Sequence, residues 1–156
     1  MRDYLIKVPY WGKHGERIAP QLIEQADTVV NNSTLYTEYG SKFNPNSFMV
    51  GQGCDVSLFN DENDTIPVPK EFESIPRPIM GYVGYLTSMR LDIELLEYMA
   101  KTRKNWSIVL VGPEDEDFKQ SRLHGLENVF FLGSKDAFEL PAYVKGFDIA
   151  MNPQVV

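Results

Sequence analysis

Cysteine is nearly absent: 156 residues hold one, Cys54, together with two histidines. A single thiol excludes an internal disulfide and any zinc site built from several cysteines. Such cysteine usage fits a reducing, cytoplasmic compartment. His14 and His124 stand far apart, and neither falls in a metal-ligand spacing. Basic charge is also short, with 15 Lys and Arg against 22 Asp and Glu, for a net charge of -7. That balance argues against a basic stripe for nucleic acid. No apolar run approaches the roughly 20 residues that cross a bilayer. The opening Met1–Lys7 is interrupted by polar residues and followed by Pro9, Gly12 and Gly15, so it does not resemble a signal peptide. There is no internal repeat and no low-complexity tract. What is present is 43% hydrophobic and 12% aromatic residues, enough for a globular core.

Along the chain, Met1–Gly15 reads as irregular. Pro20 suits the first turn of a helix, and Ile18, Leu22, Ile23 and Ala26 give it a stripe. The run 27–31 (DTVVN) is a short buried strand. Asn32 or Ser33 caps a second helix, with Leu35, Tyr36, Tyr39 and Phe43 on one face. A strand at 47–50 closes on Gly51 and Gly53. From Asn60 the chain changes character: Asp61, Glu62 and Asp64 precede Pro67, Pro69, Pro76 and Pro78, the spacing of a linker or hinge. From Ile79 the pattern is regular. Strands at 79–85, 106–111, 128–132 and 148–151 alternate with helices near 91–103, 115–123 and 138–144. Alternating elements with continuous apolar strands predict an α/β fold with a parallel sheet covered on both faces. The expected division is 1–59, the end of one Rossmann-like domain; 60–77, the hinge; and 78–156, the first half of another. On this reading the chain is a piece of a longer protein.

In open parallel sheets, ligands bind beyond the carboxyl ends of the strands. Four such ends are visible: 84–88, 112–114, 133–135 and 152–154. At the first, Gly81 and Gly84 bracket a strand end, and Leu86, Thr87 and Ser88 lead toward a helix. Backbone N–H groups at a helix start favour a phosphate, and glycine lets it approach. The same glycine serves equally well for tight strand–helix packing. Arg90 is placed to reach a diphosphate, or else is a solvated charge at the helix start; Ser88 is the expected cap. Lys135 follows the third strand end and suits a base, a phosphate or plain solvent. Glu114 is best placed to interact with a helix dipole. His14, in the loop Gly12–Gly15, is the one candidate for catalysis if that loop faces a cleft. Cys54 has no neighbouring base in sequence, so it reads as a small packed residue, and Asp55 reads as a turn cap. No Ser-His-Asp or Cys-His grouping is evident.

Six motifs in this order resemble glycosyltransferases of the GT-B fold, above all family four in its bacterial polysaccharide branch. They are ADTVVNNSTL (26–35), VGQGCDVSLF (50–59), PIMGYVGYL (78–86), IVLVGP (108–113), NVFFLGSK (128–135) and LPAYVKGFDIAMNP (140–153). The second resembles the family's pNGvD..F turn, where the chain passes between domains. The resemblance implies two Rossmann-like domains, the first for a glycan or lipid-linked acceptor and the second for a nucleotide diphosphate sugar. It implies transfer with retention and no metal or other cofactor. Gly84 matches the glycine beside the diphosphate, and Ser134 and Lys135 match the loop at the base. With Tyr85, Arg90 and Gly112 they form the expected donor site. Two departures stand out. The family often has Arg where Tyr85 stands, and Lys near Met89 and Arg90. By the family's pattern, the glutamate pair that contacts the donor is expected about one helix past MNP, beyond Val156. The chain alone is therefore expected not to turn over, and its cut sheets to favour self-association or a domain swap. In the full protein a location at the inner face of the membrane is compatible with a lipid-linked acceptor. Two other classes fit the same architecture: another nucleotide-sugar enzyme such as an epimerase, and a non-catalytic α/β module.

Overall fold

The computed structural model describes residues 9–53, 55–60 and 65–155. The chain divides into two compact units, Met1–Asp55 and Val56–Val156.

The first unit runs α1 (Pro9–Gln25), β1 (Val29–Asn31), α2 (Thr34–Ser41) and β2 (Ser47–Met49). The two strands are parallel, with Val29 opposite Ser47 and Asn31 opposite Met49. Helix α1 starts earlier than expected. Residues 9–15 are helical rather than irregular, and Pro20 lies inside the helix rather than in its first turn. The reason is the buried stripe, which is Gly15, Ala19 and Ile23 at steps of four. Its packing offsets the weak helix propensity of glycine and the hydrogen bond that Pro20 removes. Ile18 and Leu22, expected on the stripe, are exposed. Ser33 is the cap of α2, accepting from the Tyr36 amide. Asn44 ties the unit together. Its Nδ2 donates to the carbonyls of Ile23 at 2.9 Å and Ala26 at 2.6 Å, and its Oδ1 accepts from the Asn46 amide.

The second unit runs β3 (Ile79–Val83), α3 (Ile93–Thr102), β4 (Ser107–Val111), α4 (Glu116–Lys119), β5 (Val129–Gly133), α5 (Leu140–Lys145) and β6 (Ile149–Ala150). All pairs are parallel and the strand order is β5-β4-β3-β6. Strand β4 is buried throughout. Its alternate residues feed two cores, as the period of a strand requires. Ile108 and Leu110 pack with Leu86, Leu96, Phe118 and Leu123. Val109 and Val111 pack on the other face with Phe72, Ile75 and Tyr143. The helix expected over 115–123 is a single turn, Glu116–Lys119, followed by a separate 3₁₀ turn, Arg122–Gly125.

The proline-spaced stretch 60–77, read as a hinge, sends two residues into this core. Phe72 lies within a 3₁₀ turn, Lys70–Ser74, and Ile75 caps it; each is 6% exposed. In a turn with a three-residue repeat both lie on one side. Proline spacing marks a chain without long helices or strands, but it does not prevent single residues from anchoring. The Phe72 ring sits 5.9 Å from both Tyr143 and Phe147. Among the described residues, no helix is long and apolar enough to cross a membrane.

Candidate functional site

The strand order places β3, the first strand of the second unit, beside β6, its last. The direction of winding reverses between them, and such switch points open the crevice in which α/β sheets hold ligands. Three glycines with positive φ close three adjacent strands: Gly84 (φ 157), Gly112 (φ 146) and Gly133 (φ 71). The Gly84 amide donates to the Val111 carbonyl and the Gly112 amide to the Gly133 carbonyl, both at 2.9 Å. A Cβ on Gly112 would overlap the Gly84 carbonyl oxygen. Gly112 is therefore a buried spacer. Gly84 above it is partly exposed. Its own missing Cβ leaves room for the Tyr82 phenol, whose hydroxyl would lie 2.5 Å away.

The turn that follows differs from the expected one. Residues 86–91 do not enter a helix. The Leu86 amide donates to the Pro113 carbonyl at 2.9 Å, and the Leu86 carbonyl accepts from Asp115 at 3.1 Å. Thr87 is buried, and its hydroxyl hydrogen-bonds the Asp115 carboxylate, holding that acid below its usual range together with the Phe118 amide. On the other side, the Arg90 carbonyl accepts from Val155, and the Asp92 amide donates to Pro153, each at 2.9 Å. The post-β3 segment is thus pinned between the loops after β4 and β6. Helix α3 begins only at Ile93, and its cap is Asp92, not Ser88; the Asp92 carboxylate accepts from the Leu95 amide at 2.9 Å. An acidic cap already occupies the positive end of that helix. An anion at this crevice therefore meets side chains more than helix amides.

Arg90 is exposed on the turn. Burial pushes the Tyr82 phenol up, and the Arg90 charge acts against that shift. Tyr82 lies near the carboxyl end of β3, and Gly84 and Arg90 follow it in the chain. Tyr85 is half exposed beside them.

Ser134 is exposed at the end of β5, two strands from β3. Lys135 next to it is engaged. Its Nζ reaches Glu71 Oε1 at 2.9 Å and lies 4.8 Å from the centre of the Tyr143 ring. The Tyr143 hydroxyl donates to the second Glu71 oxygen. These bonds from Tyr143 and Lys135 hold the Glu71 carboxyl below its usual range. Lys135 is raised by its hydrogen bonds to Tyr143 and Glu71. Glu71 had no signal in the sequence, since it lies in the stretch read as a hinge.

Glu114 does not serve a helix dipole. Its carboxylate meets His124 Nε2 at 2.7 Å, and the imidazole stacks on Phe131 at 3.8 Å. His14 is exposed on α1, in the first unit, and not in a glycine loop. Cys54 lies outside the described residues. The cap at Asp92 and the tie from Thr87 to Asp115 were missed. Asp92 had a usable signal, an acid three residues before Leu95 at the head of an apolar stripe.

No protein-family model matches the chain. TuaH of Bacillus subtilis (strain 168), assigned to teichuronic acid biosynthesis as a glycosyltransferase, is 25% identical over 139 residues, 85% of this chain. The chain spans about a third (34%) of that relative's length. Anabaena HepE, solved with UDP and glucose, superposes with a TM-score of 0.73 at 19% identity, over 96% of this chain and 44% of HepE. Sucrose-phosphate synthase from Thermosynechococcus elongatus gives 0.66 at 21% identity, over 91% of this chain and 38% of the synthase. The GT-B resemblance drawn from the six motifs is borne out. At these identities the likeness establishes the fold: the chain carries the parallel-sheet α/β architecture of GT-B glycosyltransferases, over less than half of each structure.

Proposed function

We propose that the chain belongs to a glycosyltransferase that takes its sugar from a nucleoside diphosphate donor. The sugar passes, with retention and without a metal ion, to a glycan or lipid-linked acceptor at the cytoplasmic face of a membrane. The observation that carries this reading is the switch in winding between β3 and β6, with partly exposed Gly84 and exposed Arg90 on the segment after β3. The diphosphate lies against Gly84 and Arg90. The base extends toward Ser134 and Lys135, two strand spacings or about 10 Å away. HepE, of similar fold, was solved with UDP and with UDP-glucose, and the TuaH likeness supports the same class.

The bond from sugar carbon to diphosphate oxygen breaks, and the leaving group gathers charge. Neutralising that charge and holding the partners in place is the main work of such a site. Arg90 does this where the family's arginine is replaced by Tyr85. Its guanidinium offers a fork of donors suited to phosphate oxygens. Lys135, bound to Glu71 and Tyr143, shapes the wall near the base instead of contacting phosphate.

Titration of the chain with UDP, followed by amide NMR at low salt, tests the reading. The Gly84 and Tyr85 signals are expected to shift. Arg90→Gln should weaken UDP at least tenfold, since a hydrogen bond to a charged group contributes about 1.5–3 kcal/mol. A chain whose spectrum ignores millimolar UDP would overturn the reading. Unchanged affinity in Arg90→Gln would remove Arg90 from it.

A further inference from the structure

We propose that Phe138 is the stacking platform for the base of the nucleoside diphosphate, its ring against one face of the base while Ser134 meets the polar edge. The inference rests on the nucleotide reading above and names the group that holds the base there.

The first observation is a phenylalanine left outside the fold. An aromatic residue at the head of a helix over 138–144 is expected in the core, and Tyr143 does lie there, 4% exposed. Helix α5, however, begins only at Leu140. Phe138, ahead of it, is 77% exposed, more than any other large hydrophobic among the described residues.

The second observation is that the turn bearing it is fixed. The Phe138 amide donates to Asp136 Oδ1 at 2.9 Å, and the Asp136 amide donates to Glu139 Oε2 at 3.1 Å. The Glu139 amide donates to the Asp136 carbonyl at 3.0 Å. Reciprocal bonds of this kind are those of a capping box. A lone exposed side chain is ordinary. One displayed on a turn closed by three hydrogen bonds has little backbone freedom left to lose when a ligand covers it.

The charges on the turn select the part of the nucleotide that it meets. Asp136 and Glu139 both put carboxylates there, and the neighbouring cation, Lys135, is already held by Glu71. A phosphate brought to this turn meets like charge, so the uncharged end of the nucleotide is the part that fits. A base offers a flat π face to the ring and leaves its donors and acceptors at the edge. Ser134 is exposed, and its hydroxyl can donate or accept. It lies four residues from Phe138, a chain span of at most about 14 Å.

The test titrates the chain with UDP and follows the uracil H5 and H6 protons and the backbone amides by NMR. In the parent both uracil protons should move upfield, as protons over an aromatic face do, and the Phe138 and Gly84 amides should shift. Phe138→Ala should weaken UDP at least about fivefold, the low end for losing one base–aromatic stack, and Phe138→Tyr, which keeps the ring, should stay within about twofold of the parent. The melting temperature of Phe138→Ala should match the parent's, since the ring lies outside the core; a fall of several degrees would reveal a packed ring and overturn the platform. UDP that moves Gly84 without shielding H5 and H6, or that binds Phe138→Ala as tightly as the parent, overturns the platform and leaves the nucleotide reading standing. A Phe138→Tyr variant as weak as Phe138→Ala overturns it too. UDP that moves neither Gly84 nor the uracil protons overturns both.

Discussion

Replacing Phe72 with alanine asks whether the proline-spaced stretch is a tether or part of the second unit. The ring is 6% exposed. It stands 5.9 Å from Tyr143 and from Phe147 and covers Gly146, where a Cβ would strike it at 2.7 Å. A buried phenylalanine removes about 150–250 Å² from water. At about 25 cal/mol/Å², that is about 4–6 kcal/mol. The unfolded chain already hides part of this area, and alanine retains a little, which brings the loss to about 3–4 kcal/mol. Small domains have only about 5–15 kcal/mol in all. Urea unfolding, read from Trp106 fluorescence with Trp11 changed to Phe, would report it. With a slope of about 1.5 kcal/mol/M, the midpoint should fall by about 2 M. Glu73→Ala, one residue away and exposed, should change stability by no more than about 0.5 kcal/mol. A Phe72→Ala loss under about 1 kcal/mol would refute the packing argument and restore the tether.

Two further outcomes follow from the same unit. Asp92→Ala removes the cap of α3 and should cost about 1 kcal/mol in the same unfolding assay; Asp92→Asn should retain most of it, and equal losses in both would sink the cap assignment. The Tyr143 and Lys135 bonds depress Glu71, so its stabilisation is full above its ordinary value of 4.5 and is lost as pH falls through the lower, folded value. The raised Lys135 acts oppositely, with stabilisation present below 10.5 and lost as pH rises through its folded value. Urea midpoints of the parent and Glu71→Gln should thus converge as pH falls below 4.5; a pH-independent gap would contradict the linkage.

The parallel sheet was legible because β4 is an unbroken apolar run, and a strand buried on both faces reads that way from any sequence. The first two turns of helix α1 were not, because Gly15 carries no hydrophobic signal. It lies in the buried stripe by being small, and the eye goes instead to Ile18 and Leu22, which are exposed. Gly84 and Gly112 stood out as strand ends. Which of them is buried depended on one fact of three dimensions: Gly112 lies beneath the Gly84 carbonyl. Lys135 was visible as a charge after a strand, but Glu71, its partner 64 residues earlier, was hidden among prolines. Ion pairs across such separations leave no local pattern, because topology alone brings them together.

The same stitching that orders the strand ends constrains how a diphosphate is held. Each loop after a strand binds the next: Gly84 to Val111, Leu86 to Pro113, Gly112 to Gly133. Those amides face along the rim of the sheet rather than into the crevice, so they keep its shape and give little to a ligand. Asp92 then closes the amides of α3. Two ordinary sources of anion binding in α/β folds, a bare helix start and a free glycine loop, are in this way largely occupied by the fold itself. What is left at the switch point is a side-chain cation, and Arg90 sits on the one turn held from both sides, by Thr87 and by Val155. On the proposed reading, a long side chain on this turn serves the phosphate in place of the arginine that the family often has where Tyr85 stands. The binding should accordingly be strongly salt-dependent, because one exposed guanidinium carries more of it than a row of buried amides would.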